Sequence, residues 1–330
     1  MKDLSTTYLG LKLKNPIIAG SSGLTDTVPK IIELEKAGAS AIVLKSMFEE
    51  EIIFEMQEQA HHMTGRFFVY PETFDYMEED PHEDLIRKYL TLIKEAKEAV
   101  DIPIIASINC VSSQKWTYLA GEIEKAGADA LELNAFILPS DLNRSGEDNE
   151  RIYFEIIEEI RKQTALPVAM KISYYFSNLA QMIQNLSDAD IQGLTLFNRF
   201  YSPDFDINNL SVISSFVLSS PDDLPLSMRW IGIMADRVNC DLCASTGVHN
   251  SEALIKQILA GANAVQVVSA LYKNGVEYIS TLLKDLEEWM NVQEFENIEA
   301  FRGKLSQSRA HDPAAYERVQ FMRHFRNFRK

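Results

Sequence analysis

Cysteine is scarce in this chain. The three present among 330 residues, Cys110, Cys240 and Cys243, cannot build an even disulfide framework, which points to a reducing compartment. Three thiols also fall short of the four that an iron–sulfur site takes. Cys240 and Cys243 have C-x-x-C spacing, but at a strand entry residues three apart face opposite ways, so the pair reads as structural. No set of His, Cys and carboxylate has zinc spacing, and no metal is expected. No apolar run is long enough to span a bilayer, and the first thirty residues lack a basic start followed by a long apolar core. Positive charge is also short: 32 Lys and Arg face 48 Asp and Glu, a net −16. Nucleic acid is therefore excluded as a partner, because phosphate binding needs a basic surface. The expectation is a soluble cytoplasmic protein acting on a small molecule, with no membrane contact.

What the chain does have is repetition. Thr6–Leu13 reads as a hairpin around Gly10. Eight short apolar segments follow, at Pro16–Ala19, Ala41–Lys45, Ile104–Ile108, Ala130–Asn134, Val168–Ile172, Gly193–Phe197, Asp241–Ala244 and Ala264–Val268. Between most of them lies an amphipathic helix: Val28–Ala37, Asp84–Val100, Gln114–Ala126, Glu150–Thr164, Leu179–Ser187 and Ser251–Ala260. Ala-Gly-Ala closes three of these units, at Ala37–Ala39, Ala126–Ala128 and Ala260–Ala262. Glycine there can take the left-handed conformation that ends a helix. Eight βα units predict a parallel sheet closed into a (β/α)8 TIM barrel, one domain over residues 1–310. Gly275–Met290 and Asn297–Leu305 are expected as closing helices. Residues 311–330 are expected as a basic tail, helical over Ala314–Lys330.

Two connections, Ser46–Pro81 and Asn198–Leu226, are long and rich in aromatics. Both follow strands, so both lie on the C-terminal face, as active-site walls or as oligomer contacts. Polar residues at the strand ends are the natural site candidates. Strand one ends in Ala19-Gly20-Ser21, small residues that let a flat ligand approach the backbone. The others supply Lys45 and Ser46, Asn109 and Cys110, Asn134, Lys171, and Asn198. Two lysines within short apolar strands need an anionic partner. Ser245-Thr246-Gly247 and Val268-Ser269 each precede a helix, where free N–H groups and the helix dipole favour a phosphate. A barrel often binds phosphate after its seventh and eighth strands.

In these residues the chain resembles the flavin-dependent dihydroorotate dehydrogenases and the related flavin domain of dihydropyrimidine dehydrogenases. The resemblance runs from Tyr8-Leu9-Gly10 to Gly275 and rests on Lys45-Ser46, Glu132-Leu133-Asn134, Lys171, Asn198, Ala244–Gly247 and Val268–Leu271. It implies FMN in the barrel mouth. Lys171 would stabilise negative charge on the reduced flavin, Lys45, Ser46 and Asn134 would hold its rim, and Thr246, Gly247, Val268 and Ser269 would hold its phosphate. The implied reaction is hydride transfer between a dihydropyrimidine and the flavin, dihydroorotate to orotate, with Lys45 and Asn134 at the reacting centre. The resemblance also implies a homodimer and leaves the electron acceptor open.

One departure is sharp. The family carries a Cys or Ser base in Asn-x-Ser-Cys-Pro after strand four, whereas this chain reads Asn134-Ala135-Phe136-Ile137-Leu138-Pro139. Neither Ile137 nor its neighbour accepts a proton. Cys110 is a candidate replacement, as are Ser140, Asp141, His61 and His62. The rival readings are a flavoenzyme acting on another dihydropyrimidine or enone, a flavin- or phosphate-binding barrel without turnover, and a flavin-free sugar-phosphate enzyme.

Overall fold

The computed structural model describes residues 2–54, 85–113, 115–199, 203–214 and 218–317. The chain opens with an antiparallel hairpin, β1 (Thr6–Tyr8) and β2 (Leu11–Leu13). The eight expected strands all form: β3 (Ile17–Ala19), β4 (Ala41–Val43), β6 (Ile104–Cys110), β7 (Ala130–Ala135), β8 (Val168–Ile172), β9 (Gly193–Leu196), β12 (Asp241–Ala244) and β13 (Ala264–Val267). Each pairs in parallel with the next, β13 pairs with β3, and β4 pairs with β6, so the barrel closes. A two-residue strand, β5 (Met47–Phe48), extends the sheet beside the C-terminal half of β6. β10 (Pro203–Asp206) and β11 (Ser211–Ser214) form a separate hairpin on the C-terminal side of β9.

The strands form because their residues are apolar on both faces, as parallel strands covered by helices require. The helices are bounded by local chemistry. Pro29 occupies the first turn of Val28–Ala37, where its missing N–H is not needed. Gly38, Gly127 and Gly261 end their helices with φ of 109°, 96° and 128°, the conformation that the Ala-Gly-Ala repeat predicts. Ser145 and Asp148 form a reciprocal capping box, so the helix expected at Glu150–Thr164 starts earlier and spans Gly146–Arg161.

Two expectations need correction, and one helix is added. Gln114–Ala126 divides into a 3-10 turn, Lys115–Tyr118, and a helix, Leu119–Ala126, with Gln114 outside the described residues. Asn297–Leu305 contains only a 3-10 turn, Ile298–Ala300, capped by the Asn297 side chain. A helix at Leu224–Met234, between β9 and β12, was not anticipated. Of the basic tail, 318–330 lie outside the described residues, as do 55–81 of the connection Ser46–Pro81 and Asp84, the expected first residue of the next helix. The start of the tail docks on its own chain: Tyr316 packs so close to Gly232 that a Cβ there would meet its ring.

Two cores result. The larger lies between strands and helices. The smaller fills the barrel floor, where Ala41, Ala130, Ala169 and Ala264 leave room for Tyr8 and Leu9 of the hairpin. Gly193 has the same role, since a Cβ there would come within 3.2 Å of the Tyr8 ring. The floor is tied to the far end of the chain, with Thr6 Oγ1 donating to Asn263 O at 2.9 Å and Asp3 bridging Asn297. The hairpin seals the N-terminal end and leaves the other end as the open mouth.

Candidate active site

Register brings the polar strand ends together. Asn109 pairs with Asn134, Asn134 with Lys171, and Lys171 with Thr195, one rung across four strands. A cavity of about 450 Å³ opens above this rung. That volume lies in the range of small-molecule sites. Twelve of the fifteen strand-end and turn residues singled out from the sequence line it: Ser21, Lys45, Ser46, Asn109, Asn134, Lys171, Asn198, Ser245, Thr246, Gly247, Val268 and Ser269.

The other three do not. Ala19 is buried in β3, and Gly20 donates its N–H to Val267 O. Gly20 still shapes the wall, since a Cβ there would lie 2.7 Å from the Val268 side chain. Cys110 is fully buried among the apolar residues outside the barrel, and burial, reinforced by Glu49 and Glu50, pushes its thiol well above its ordinary range. A base needs a reachable, ionisable atom, so the structure does not support Cys110 in that role. Ser140 and Asp141 are exposed and do not line the cavity. His61 and His62 lie outside the described residues.

Each wall has its own support. Ser21, Ser46 and Ser107 form a hydroxyl chain with Oγ–Oγ distances of 3.0 and 2.7 Å. Asn198 uses its amide to bridge Ala135 O at 3.0 Å and Lys171 O at 3.1 Å, joining the ends of β7 and β8. Thr246 and Gly247 both have positive φ, 75° and 82°, and a Cβ on Gly247 would collide with the Leu224 backbone. Ser219 closes the same corner. Its N–H reaches Ser269 Oγ at 2.9 Å, its hydroxyl pairs with His249 Nε2 at 2.9 Å, and Lys273 Nζ donates to its carbonyl. Partial burial and Lys273 hold the His249 imidazole below its usual pKa.

Beneath the rung lies a buried polar cluster. Glu132, 1% exposed, accepts from Thr195 Oγ1 at 3.0 Å and from Gln266 Nε2. Gln266 Oε1 accepts from Lys171 Nζ at 3.0 Å, and Lys171 Nζ stands 4.0 Å from Glu132 Oε1. Tyr8 OH contacts Thr195 Oγ1 from the hairpin below, and burial holds its phenol well above the ordinary range.

Sequence reasoning missed Gln266, Phe48, Phe136 and Ser219 as lining residues. Gln266 carried a signal, a polar residue inside the apolar run Ala264–Val268. Ser219 carried none, because only tertiary closure brings it to His249.

The wall carries an unmet demand. Asn134 Oδ1 is buried with no hydrogen-bond partner among the described residues, although its side chain lines the cavity. Such an acceptor calls for a donor on a ligand. A flat heterocycle with ring N–H groups and an anionic arm suits this acceptor, the two lysines and the turns that follow β12 and β13. A family model described as dihydroorotate dehydrogenase matches residues 3–290. The chain belongs to the dihydroorotate dehydrogenase family. Among its relatives is the protein named dihydroorotate dehydrogenase B (NAD(+)), catalytic subunit, of Thermoplasma volcanium, 28% identical over 92% of this chain and 98% of the relative. The proteins of the same name in Thermoplasma acidophilum and Pyrococcus furiosus are 24% and 23% identical, over 92% and 89% of this chain and 99% and 96% of their own lengths. As a dihydroorotate dehydrogenase family member, the chain is an oxidoreductase built on a flavin-dependent scaffold. Ile137, on which or beside which the family resemblance puts the base position, is 6% exposed.

Proposed function

We propose that this chain is an FMN-dependent dihydroorotate dehydrogenase. The observation that carries the reading is the single cavity uniting Lys45, Asn134 and Lys171 with the turns Ser245–Gly247 and Val268–Ser269. When bound, FMN would supply the two-electron chemistry that protein side chains lack. Thr246, Gly247, Val268 and Ser269 would hold its phosphate. Asn109, Asn134, Ser46 and Lys171 would face its ring system. Asn198, which bridges two backbone carbonyls, would act by keeping Asn134 and Lys171 in register. Lys45 is exposed at the rim and would present its ammonium to an anionic substrate.

The substrate proton leaves by a route that avoids Ile137, because a hydrocarbon side chain cannot accept it. The electrons pass on to a separate subunit that uses NAD+, as the names of the relatives suggest. We place the protein in the cytoplasm. All three cysteines are free, and among the described residues no helix is long and apolar enough to cross a membrane. A homodimer belongs to the same proposal. Exposed Phe205, Ile207, Leu210 and Val212 on the β10–β11 hairpin offer apolar area for it.

The test is a visible spectrum of the purified protein under argon, before and after adding dihydroorotate. Flavin bands that bleach on addition are expected. A colourless protein refutes the cofactor, and bands that stay oxidised refute the substrate.

A further inference from the structure

Glu132 has no place in the chemistry described so far. Its carboxylate does not line the cavity, yet it lies directly behind the wall that does. Burying a carboxylate in a barrel is unfavourable, and an apolar residue of similar size would serve packing at least as well. The cluster is also incomplete as a structural device. Oε2 is satisfied by Gln266 and Thr195, but Oε1 has no hydrogen-bond partner among the described residues. The nearest cation to it is Lys171 Nζ at 4.0 Å, too far for a hydrogen bond.

Gln266 explains the spacing. Its carbonyl faces the ammonium and its NH2 faces the carboxylate, the one orientation in which both ends are favourable. The amide acts as a spacer. It keeps Lys171 in the cavity wall and prevents its collapse onto Glu132. The result is a fixed positive charge facing the ligand with a fixed negative charge behind it.

We infer that Glu132, through Gln266, is a positioning residue that sets how strongly Lys171 stabilises negative charge on a bound flavin, and so sets the flavin reduction potential. This rests on the FMN reading above. Reduction adds negative charge to the flavin, Lys171 favours that charge, and Glu132 opposes it. The buried carboxylate thus holds the potential lower than Lys171 alone would.

The experiment measures the flavin midpoint potential by dithionite titration against a reference dye, in wild type, Glu132→Gln, Glu132→Asp and Thr195→Val. Glu132→Gln keeps the shape and removes the charge. Its flavin equilibrium is expected to move at least about tenfold towards the reduced form, an upward shift of roughly 30 mV for a two-electron couple. Glu132→Asp keeps the charge but withdraws it from Lys171, and a smaller upward shift is expected. That variant carries the test alone should Glu132→Gln not fold. Thr195→Val removes one hydrogen bond and leaves the charge, so its potential should stay at the wild-type value. An unchanged or lowered potential in the Glu132 variants overturns the inference, as does an equal shift in Thr195→Val, which would mark general loosening of the core. Wild-type protein without flavin bands overturns the functional reading and this inference with it. Flavin bands with unshifted potentials overturn this inference alone.

Discussion

Replacing Asn198 by Asp changes almost nothing in volume and reverses the hydrogen bonding. The Asn198 amide donates to Ala135 O and Lys171 O, at 3.0 and 3.1 Å, from a side chain that is 3% exposed. Both partners are carbonyls, so only an NH2 group can face them. Asn198→Ala removes two neutral hydrogen bonds, about 1 kcal/mol each, for a loss of about 2 kcal/mol. Asn198→Asp sets a buried carboxylate oxygen against two carbonyl oxygens, and about 3–5 kcal/mol is expected, in line with other buried charges left without a partner. With about 2.1 cal/mol/K of unfolding entropy per residue, each kcal/mol shifts the melting temperature of this 330-residue chain by about 1.5 °C, so it should fall about 3 °C in Ala and about 4–7 °C in Asp. The assay is thermal unfolding of the two variants and wild type at pH 7.5 and pH 5. A protonated carboxyl can donate, so the Asp variant should regain part of its deficit at the lower pH while the Ala variant does not. An Asp variant that melts at or above the Ala variant at pH 7.5 would refute the bridging role.

The remaining expectations concern residues in and around the cavity. Cys110→Ala should leave the rate of flavin bleaching by substrate within about twofold of wild type, because the thiol is not at the cavity; a drop of about 10²-fold or more, the loss typical of a general base, would restore it as one. Lys171→Met leaves Glu132 without its cation and should cost about 2–3 kcal/mol in chemical denaturation, less than a fully buried pair because Lys171 retains some exposure. The double variant Lys171→Met with Glu132→Gln should recover part of that loss, and strict additivity would count against the pairing. Gly247→Ala should weaken FMN binding by about tenfold or more in a fluorescence titration, since φ is 82° and a Cβ meets the Leu224 backbone; unchanged affinity would show that the turn can relax. The His249 imidazole is held below its usual pKa, so the unfolded chain binds its proton first. Stability from this group is present above about pH 6.5 and is lost as pH falls from there to the lower folded value. His249→Gln should flatten that part of a pH–stability curve.

Much of this architecture is legible in the sequence. Ile17–Ala19 and Ala41–Val43 are apolar on both faces, and three Ala-Gly-Ala turns mark where helices return to the sheet. Lys171 was readable for the same reason that it is unusual, an ammonium within an apolar strand. The helix Leu224–Met234 was not. Pro225, Ser227 and Gly232 interrupt it, and apolar residues surround its axis, so no periodic face appears. Cys110 failed for a different reason. Asn109 lines the cavity, and strand alternation turns the next residue to the opposite face. Glu132 was visible as a letter in a motif, but its meaning depends on Gln266, which approaches from the other side of the barrel.

The hairpin that seals the barrel floor also bears on how the chain acquires its shape. Thr6 and Asn263 are 257 residues apart, and the first strand of the barrel pairs with the last. During synthesis Tyr8 and Leu9 leave the ribosome long before the walls that bury them exist. Closure therefore waits for the emergence of β13, and until then two large apolar side chains and an open sheet edge stay exposed to solvent. Contacts this distant in sequence slow folding, so the nascent chain passes through an aggregation-prone interval that ends only when the first and last strands of the barrel meet.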